Sequence, residues 1–277
     1  LSVGNDNSRI PVTAITIAAV TAVAFWSLKP IFISIIGDRG DYAEVYVVAA
    51  AISVLASAVV SALLWRKVVE LCRGGRQSLY GVGQACLSGF FLALWYYGFY
   101  RALYGADKAD ATIIAFTWPL IAVIAMRMFS RNRPEPLKIH QWMLIVASFA
   151  GAVAVGLSSL GTSAQTGASH EIVWAFVAAI GSGLYLPFAI NATDAFADVL
   201  EDGSKPIATF FSISVANVMA LVLVVASLFT TGHKLRFYAF DPQVIMICAL
   251  IGIGTYLIAE VSWTWAFQEY KSLTLSS

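Results

Sequence analysis

Two ionisable residues lie inside long apolar runs of this 277-residue chain. Lys29 lies about seven residues, or ~10 Å at 1.5 Å per residue, from the end of the run 12–36. Glu260 lies near the middle of the run 243–268. An ionisable side chain in such a run is costly, and it commonly marks a substrate or proton path. Lys29 is therefore a candidate ligand for a substrate carboxylate, and Glu260 a candidate proton-coupling group or acceptor for a substrate amine.

Both residues also have a structural interpretation. Lys29 could extend its long side chain toward the outer headgroups, and Glu260 could form a structural pair with another helix or with Lys29 itself. Pro30 cannot donate to the carbonyl of Trp26, which predicts a kink and a free acceptor beside Lys29. Asn217 follows Ser214 by one turn, and interhelical hydrogen bonding is the favoured role for it, ahead of a ligand contact.

Aromatic residues concentrate in the segment 92–119, which ends one apolar run and opens the next. Tyr96 and Tyr100 share a helix face with small residues, a face suited to close packing at one end and an opening at the other. Trp95 lies beside that face, and we assign it to the interfacial aromatic belt. The candidate substrate-binding residues are Trp26, Lys29, Tyr96, Tyr100, Trp118, Tyr185, Asn217, Glu260 and Trp263, with kinks or hinges at Pro30, Pro119 and Pro187.

The elements that position these residues follow from composition. The chain is 59% hydrophobic and 12% charged with mean hydropathy +0.78, whereas an average soluble domain is roughly 25% charged. Backbone groups in hydrocarbon must be satisfied locally, so apolar runs of this length are helices. We predict an all-α polytopic membrane protein with eight complete spans at about 12–36, 44–65, 79–104, 110–129, 141–160, 172–196, 206–230 and 243–268.

Several function classes find no support in the sequence. The net charge of +1 gives no indication of a nucleic-acid partner. The three cysteines have neither metal-ligand nor disulfide spacing. We find no Gly-rich phosphate loop and no nucleophile elbow, and the three histidines fall at loops or span ends. The prediction is a protein that is not an enzyme and that uses no cofactor or metal.

The loops between the spans predict an orientation. With the N-terminus inside, the cytoplasmic segments carry more than twice as many Lys and Arg as the outer ones, so the N-terminus is predicted to be cytoplasmic. This imbalance comes almost wholly from the first half of the chain.

The two halves resemble each other. Pro30 and Pro187 lie at the same depth in spans one and six, and spans three and eight both end in aromatic residues. This favours a repeat of five helices, whose second copy must be inverted because five is odd. The predicted parts are a first repeat at 1–160, an extracytoplasmic linker at 161–171 and a second repeat at 172–277. Counterparts of spans four and five are missing, so we expect the sequence to be truncated before two further helices.

Two motifs carry a family resemblance. One is the Trp26-Ser-Leu-Lys29-Pro30 core of span one, and the other is the hairpin from Ala102-Leu103 through Ala109-Asp-Ala111 to Pro119-Leu120. The basic loop 131–135 then leads to Gln141-Trp142 and Gly151. The chain thereby resembles the EamA-type drug/metabolite transporter superfamily, most closely the YddG-type aromatic amino acid exporters. The resemblance implies a ten-helix fold of two inverted halves in the bacterial inner membrane, and outward transport of amino acids, chiefly aromatic ones.

The resulting hypothesis is a secondary-active exporter of amino acids and related small metabolites, working through a central cavity between the two halves. Its partners are then a small-molecule amino acid, the lipid bilayer and, as a candidate coupling ion, the proton. A transporter for nucleobases or cationic drugs is the alternative. Phosphorylated substrates are disfavoured because they need several embedded cations. A non-transporting membrane scaffold, without a solvated cavity, is the remaining possibility.

Overall fold

The structure is a computed structural model that describes residues 12–36, 41–105, 108–131, 172–230 and 241–275, with isolated positions between 139 and 154. All regular elements in these ranges are helical. Within the described residues, seven helical stretches are long and apolar enough to cross a membrane. The predicted fold class, an all-α polytopic membrane protein, is confirmed.

The helices follow the predicted spans closely, with bounds that differ by about four residues or fewer where the structure describes them, except that the last helix continues to Leu275, beyond the predicted end at residue 268. The predicted span 141–160 and the linker 161–171 lie largely outside the described residues. In chain order the helices are α1 (Val12–Ile36), α2 (Tyr42–Leu63), α3 (Trp65–Arg73), α4 (Gly75–Gly105), α5 (Lys108–Ala115), α6 (Trp118–Phe129), α7 (Ile172–Ala197), α8 (Lys205–Thr230), α9 (Pro242–Ala249), a π-helical segment (Leu250–Ala259) and α10 (Glu260–Leu275).

Two of the membrane helices begin at an aspartate cap. The Asp41 side chain accepts from the backbone N–H of Ala43 at the start of α2, and the Asp241 side chain accepts from that of Gln243 at 2.9 Å. Pro242 follows Asp241 in the first turn, where its missing N–H costs nothing. These caps satisfy backbone donors that the first turn leaves free.

The fourth span, predicted as one helix over 110–129 with a kink or hinge at Pro119, is broken in its middle. Helix α5 ends at Ala115, and α6 begins at Trp118, after two intervening residues. The Thr117 hydroxyl donates to the Ile114 carbonyl at 2.7 Å, which satisfies an acceptor at the break. Pro119 lies in the first turn of α6, where a proline is tolerated but a continuous helix through it is not. Pro30 and Pro187, in contrast, lie inside α1 and α7.

Helices α4 and α7 form the most intimate pair in the bundle. A Cβ placed on Gly181 of α7 would lie 2.7 Å from the Phe91 carbonyl oxygen of α4. One placed on Gly98 of α4 would lie 2.8 Å from the Trp174 carbonyl oxygen of α7. Small residues at such points let helix backbones approach closely, which is how membrane helices gain van der Waals contact. On the other side of the bundle, α1 packs on the π-helical segment and α10.

A polar network ties α3 and α4 to the turn between α7 and α8. Lys67 Nζ lies 3.1 Å from both Glu70 and Asp202, and Asp198 accepts from Gln77 at 3.0 Å. Hydrogen bonds to Glu70 and Asp202 raise the pKa of Lys67. The pKa of Asp202 is lowered most by the hydrogen bond from the Ser204 backbone N–H and next by the hydrogen bond from Lys67. Both groups are therefore charged around neutral pH, although their partial exposure keeps each pair weak.

Candidate substrate site

Lys29 points into the bundle, within a box of five aromatic rings. It lies on the buried face of α1 with Ala22, Trp26 and Ile33, a set with i+3 and i+4 spacing. Around its Nζ, within 4.8–5.4 Å of the ring centroids, lie Trp95, Tyr96, Phe99, Tyr100 and Tyr256. We call these five rings the aromatic box. The Lys29 side chain is buried and does not extend to the surface of the bundle, so the snorkelling interpretation of Lys29 is wrong.

The aromatic box satisfies the Lys29 ammonium only in part. Ring faces attract a cation, by roughly 2 kcal/mol or more where water is excluded. An ammonium also has three N–H donors, and Nζ has no hydrogen-bond acceptor among the described residues. Its donors remain available to an anionic group that enters the box.

Glu260 lies beside the box, at the junction of the π-helical segment and α10. Its Oε1 accepts from Trp26 Nε1 at 3.2 Å and from the Tyr96 hydroxyl at 3.3 Å. Its Oε2 has no hydrogen-bond partner in the part of the chain that the structure describes. The Tyr185 hydroxyl neighbours this carboxylate without reaching hydrogen-bond geometry. Glu260 and Lys29 interact electrostatically, but no hydrogen bond joins them.

Four tyrosines connect the helices at this level. Tyr96 of α4 stacks on Tyr256 of the π-helical segment with ring centroids 4.1 Å apart. The Tyr256 hydroxyl bonds to that of Tyr100 at 2.9 Å. Tyr46 of α2 lies 5.8–6.1 Å from the other three rings. These contacts hold the box together independently of Lys29.

Tryptophans cover the other side of Glu260. Trp26 makes ring contacts with Trp95, Trp118 and Trp263 at centroid distances of 5.4–5.8 Å. Trp95 also stacks on Tyr185 at 5.8 Å and on Tyr96 at 5.1 Å. Trp95 is buried, so its assignment to the interfacial belt is wrong. The structure brings together Trp26, Lys29, Tyr96, Tyr100, Trp118, Tyr185, Glu260 and Trp263 from the predicted set.

Sequence reasoning left four ring-bearing residues out of the candidate set. Tyr256 precedes Glu260 by one turn, so it carried a usable signal, and Phe99 follows Tyr96 by three residues. Trp95 belongs to the same aromatic run. Tyr46 had no signal, because a lone tyrosine near a span end is typical of the interfacial belt.

Asn217 lies outside the box and connects three helices. Its Nδ2 donates to the Tyr256 carbonyl at 2.7 Å and to Ser53 Oγ of α2 at 3.5 Å. The Tyr256 carbonyl belongs to the π-helical segment. The π-helix is rare in proteins overall, but where it occurs it is often found at a functional site. Asn217 therefore holds that segment in place through its backbone.

We expect Asn217→Ala to destabilise the protein by about 0.6–1.7 kcal/mol, the range found for hydrogen bonds between membrane helices. The matched control is Ser214→Ala, because among the described residues the Ser214 hydroxyl bonds only within its own helix, to the Phe210 carbonyl at 2.7 Å. Thermal unfolding of both purified variants in detergent measures the difference. Equal melting temperatures for the two variants would contradict the interhelical role.

The site offers binding groups rather than metal ligands. The described residues contain no group of three or more His, Cys, Asp and Glu side chains that could hold a metal ion. The site does contain an ammonium, a carboxylate oxygen with an unused lone pair and several ring faces. Such a set can hold a small zwitterion with a flat apolar group.

The centre of the bundle is closed to solvent in this conformation. Lys29 is 2% exposed, Tyr96 1%, and Tyr185 and Glu260 are fully buried. A solute reaches these groups only when the surrounding helices separate. Among the described residues, the predicted central cavity is therefore not open to solvent in this conformation.

Comparisons with known proteins agree with this architecture. The model of a family described as the EamA-like transporter family matches residues 13–157, more than half of the chain. One solved crystal structure, whose description names no particular protein, is similar to this chain, with 19% sequence identity and a TM-score of 0.51. The similarity covers 93% of this chain and 80% of that one and shows a shared fold. No curated protein matches.

Proposed function

Because this chain belongs to the EamA-like transporter family, we propose that it is a secondary-active exporter of amino acids, chiefly aromatic ones. One observation carries the proposal. An ammonium and a carboxylate, those of Lys29 and Glu260, are buried within one aromatic cluster of a membrane bundle. Buried charges at membrane depth are costly and mark substrate or ion pathways.

The complementary chemistry is that of a free amino acid. Its carboxylate would accept the unused N–H donors of Lys29, and its ammonium would donate to Glu260 Oε2, which lacks a partner among the described residues. Its ring would lie against the box, where offset or edge-on contacts contribute about 0.5–1.5 kcal/mol each. Both unsatisfied groups then gain a partner in one binding event.

The alternative substrates, and the scaffold, match the charges of Lys29 and Glu260 less completely. A nucleobase is flat but uncharged, so it would leave the charges of Lys29 and Glu260 unmatched. A cationic drug would pair with Glu260 and be repelled by Lys29. A scaffold gains nothing from a buried ammonium without a hydrogen bond, because burial of an unpaired charge destabilises a fold.

The helix contacts support the predicted inverted repeat of 1–160 and 172–277 around the linker 161–171. In the predicted register α1 corresponds to α7, α2 to α8, and α4 to the π-helical segment with α10. Helix α1, of the first half, packs against the π-helical segment and α10 of the second half. The corresponding helices, α7 of the second half and α4 of the first, also pack against each other. The contact of α2 with the π-helical segment likewise has its counterpart in that of α8 with α4. Two related halves around a central site are typical of alternating-access transporters.

Location and coupling complete the proposal. The excess of Lys and Arg on one side supports a cytoplasmic N-terminus, and the family resemblance favours a bacterial inner membrane. Glu260 is the candidate proton carrier, because its carboxylate can bind either a proton or the ammonium of a substrate, one in place of the other.

The test is transport by the purified protein in lipid vesicles, with and without an imposed pH gradient. We expect movement of phenylalanine, tyrosine and tryptophan, and a weaker response to adenine and to tetraphenylphosphonium. Transport of adenine or the cation in preference to every amino acid would overturn the assignment. No transport of any probe would favour the scaffold.

Tyr96→Ala tests the site itself. It removes a ring of the box and a donor to Glu260, and we expect about a 10-fold loss of aromatic amino acid transport from the lost ring contacts. Tyr97→Ala is the matched control, since Tyr97 turns to Trp174 instead. Initial rates in vesicles, normalised to the amount of folded protein, measure both variants. Unchanged export of every aromatic amino acid by Tyr96→Ala would remove this site from consideration.

A further inference from the structure

The aromatic box is complete without Lys29. Four of its rings belong to α4 and the fifth, that of Tyr256, to the π-helical segment, whereas Lys29 enters from α1. The rings support one another through the stacking of Tyr96 on Tyr256 and the Tyr256–Tyr100 hydrogen bond. Removal of the Lys29 ammonium therefore leaves a set of ring faces that still surrounds one position.

That set of rings is the arrangement that proteins use to bind organic cations. Alkylated ammonium ligands are recognised by several ring faces within about 6 Å of the charge, and Nζ lies within 5.4 Å of all five centroids. A carboxylate beside the rings strengthens such a site, and Glu260 contacts Tyr96 directly. The rings and Glu260 together thus have the chemistry of an organic-cation site whose cation position is taken by a lysine of the same chain.

We propose that Lys29 is a specificity-determining residue, which fills a latent organic-cation site with its own ammonium and thereby excludes cationic substrates. This inference rests on the proposed function, in that it assumes the box to be the substrate site. A second cation about 5 Å from Nζ, at an effective dielectric constant of about 20, is repelled enough to lose roughly 100-fold in affinity. A substrate with a carboxylate escapes this penalty because it pairs with Lys29 and draws the ammonium from the rings.

The decisive variant is Lys29→Met. Methionine is unbranched and one heavy atom shorter than lysine, so it keeps the packing of the stem, leaves the position of the ammonium between the rings vacant and carries no charge. Lys29→Arg is the control, because it keeps the charge. The probes are phenylalanine and phenethylamine, which differ only in the carboxylate, and equilibrium dialysis against the purified protein measures their binding.

We expect wild type to bind phenylalanine at least about 10-fold more tightly than phenethylamine, as one hydrogen bond to a charged group requires. Lys29→Met should reverse this order, with phenethylamine gaining about 10- to 100-fold. Lys29→Arg should keep the exclusion of phenethylamine. Adding Glu260→Gln to Lys29→Met should remove the gained amine binding.

The outcomes separate this inference from the proposed function. If wild type transports phenylalanine and Lys29→Met gains no amine binding, the inference is overturned and the function stands. If wild type binds no amino acid and Lys29→Met binds phenethylamine, the latent cation site is supported and the function is not. Lys29→Gln, also neutral, replaces Lys29→Met should the latter not fold, and it carries the same expectations.

Discussion

Glu260→Gln is expected to lower amino acid transport by roughly 10- to 100-fold, the loss that goes with one hydrogen bond to a charged group. The glutamine carbonyl oxygen can replace Oε1 as acceptor for Trp26 Nε1 and the Tyr96 hydroxyl, so the packing of the cluster is retained. What disappears is the negative charge. The initial rate in vesicles measures the loss, and the melting temperature in detergent checks that the fold survives.

The same variant distinguishes the two roles that the sequence leaves open for Glu260. If the carboxylate accepts the substrate amine, Glu260→Gln raises the KM both with and without a pH gradient. If it carries the coupling proton, the variant loses gradient-driven accumulation but keeps exchange between labelled and unlabelled substrate. Exchange and accumulation that both match wild type would contradict both roles.

Glu269→Gln is the matched control on the same helix. Glu269 lies two and a half turns from Glu260 and pairs with Lys205 at 3.3 Å, near the end of the bundle. The chemical change is identical, but the aromatic cluster is untouched. We expect transport close to wild type. A loss as large as that of Glu260→Gln would show that the effect comes from charge removal in general.

Much of this fold follows from the sequence, because a span needs length and apolarity and both are local properties. Lys29 and Glu260 could be predicted for a similar reason, since an ionisable residue in an apolar run is conspicuous wherever its neighbours lie. Trp95 could not be placed correctly. A single helical wheel puts it off the Tyr96 face, but α4 is packed by α2, α7 and α8 together, so more than one of its faces is buried.

The π-helical segment marks the second limit. The sequence predicted one helix over 243–268, in which regular helical spacing would place Gly252 and Tyr256 on the face of Glu260. In the structure Gly252 abuts α2, Tyr256 completes the box, and Glu260 contacts Trp26. Asn217, from a distant part of the chain, donates a hydrogen bond to the Tyr256 carbonyl in this segment. The sequence pattern of a single span cannot predict a hydrogen-bond partner that lies in another span.

Gly252→Ala is expected to cost about 1–3 kcal/mol of stability, the usual range for overpacking a close contact. A Cβ at residue 252 would overlap the carbonyl oxygen of Ala49 and lie 3.3 Å from the backbone nitrogen of Ser53. Backbone atoms cannot turn aside as a side chain can, so α2 and the π-helical segment must separate. Tyr46 and Tyr256, on these two elements, would then lose part of their ring contact, and transport should fall as well.

Gly83→Ala provides the comparison that isolates this contact. A Cβ on Gly83 of α4 meets no heavy atom of the described residues within 4 Å. In a helix, glycine to alanine alone stabilises by roughly 0.5–1 kcal/mol through backbone entropy. Both variants contain that contribution, so the difference between their melting temperatures reports the α2 contact itself. Gly83→Ala should match or exceed wild type, and Gly252→Ala should melt several degrees lower. If the two variants melt together, the close approach of the π-helical segment to α2 is absent, and the aromatic box loses its support on that side.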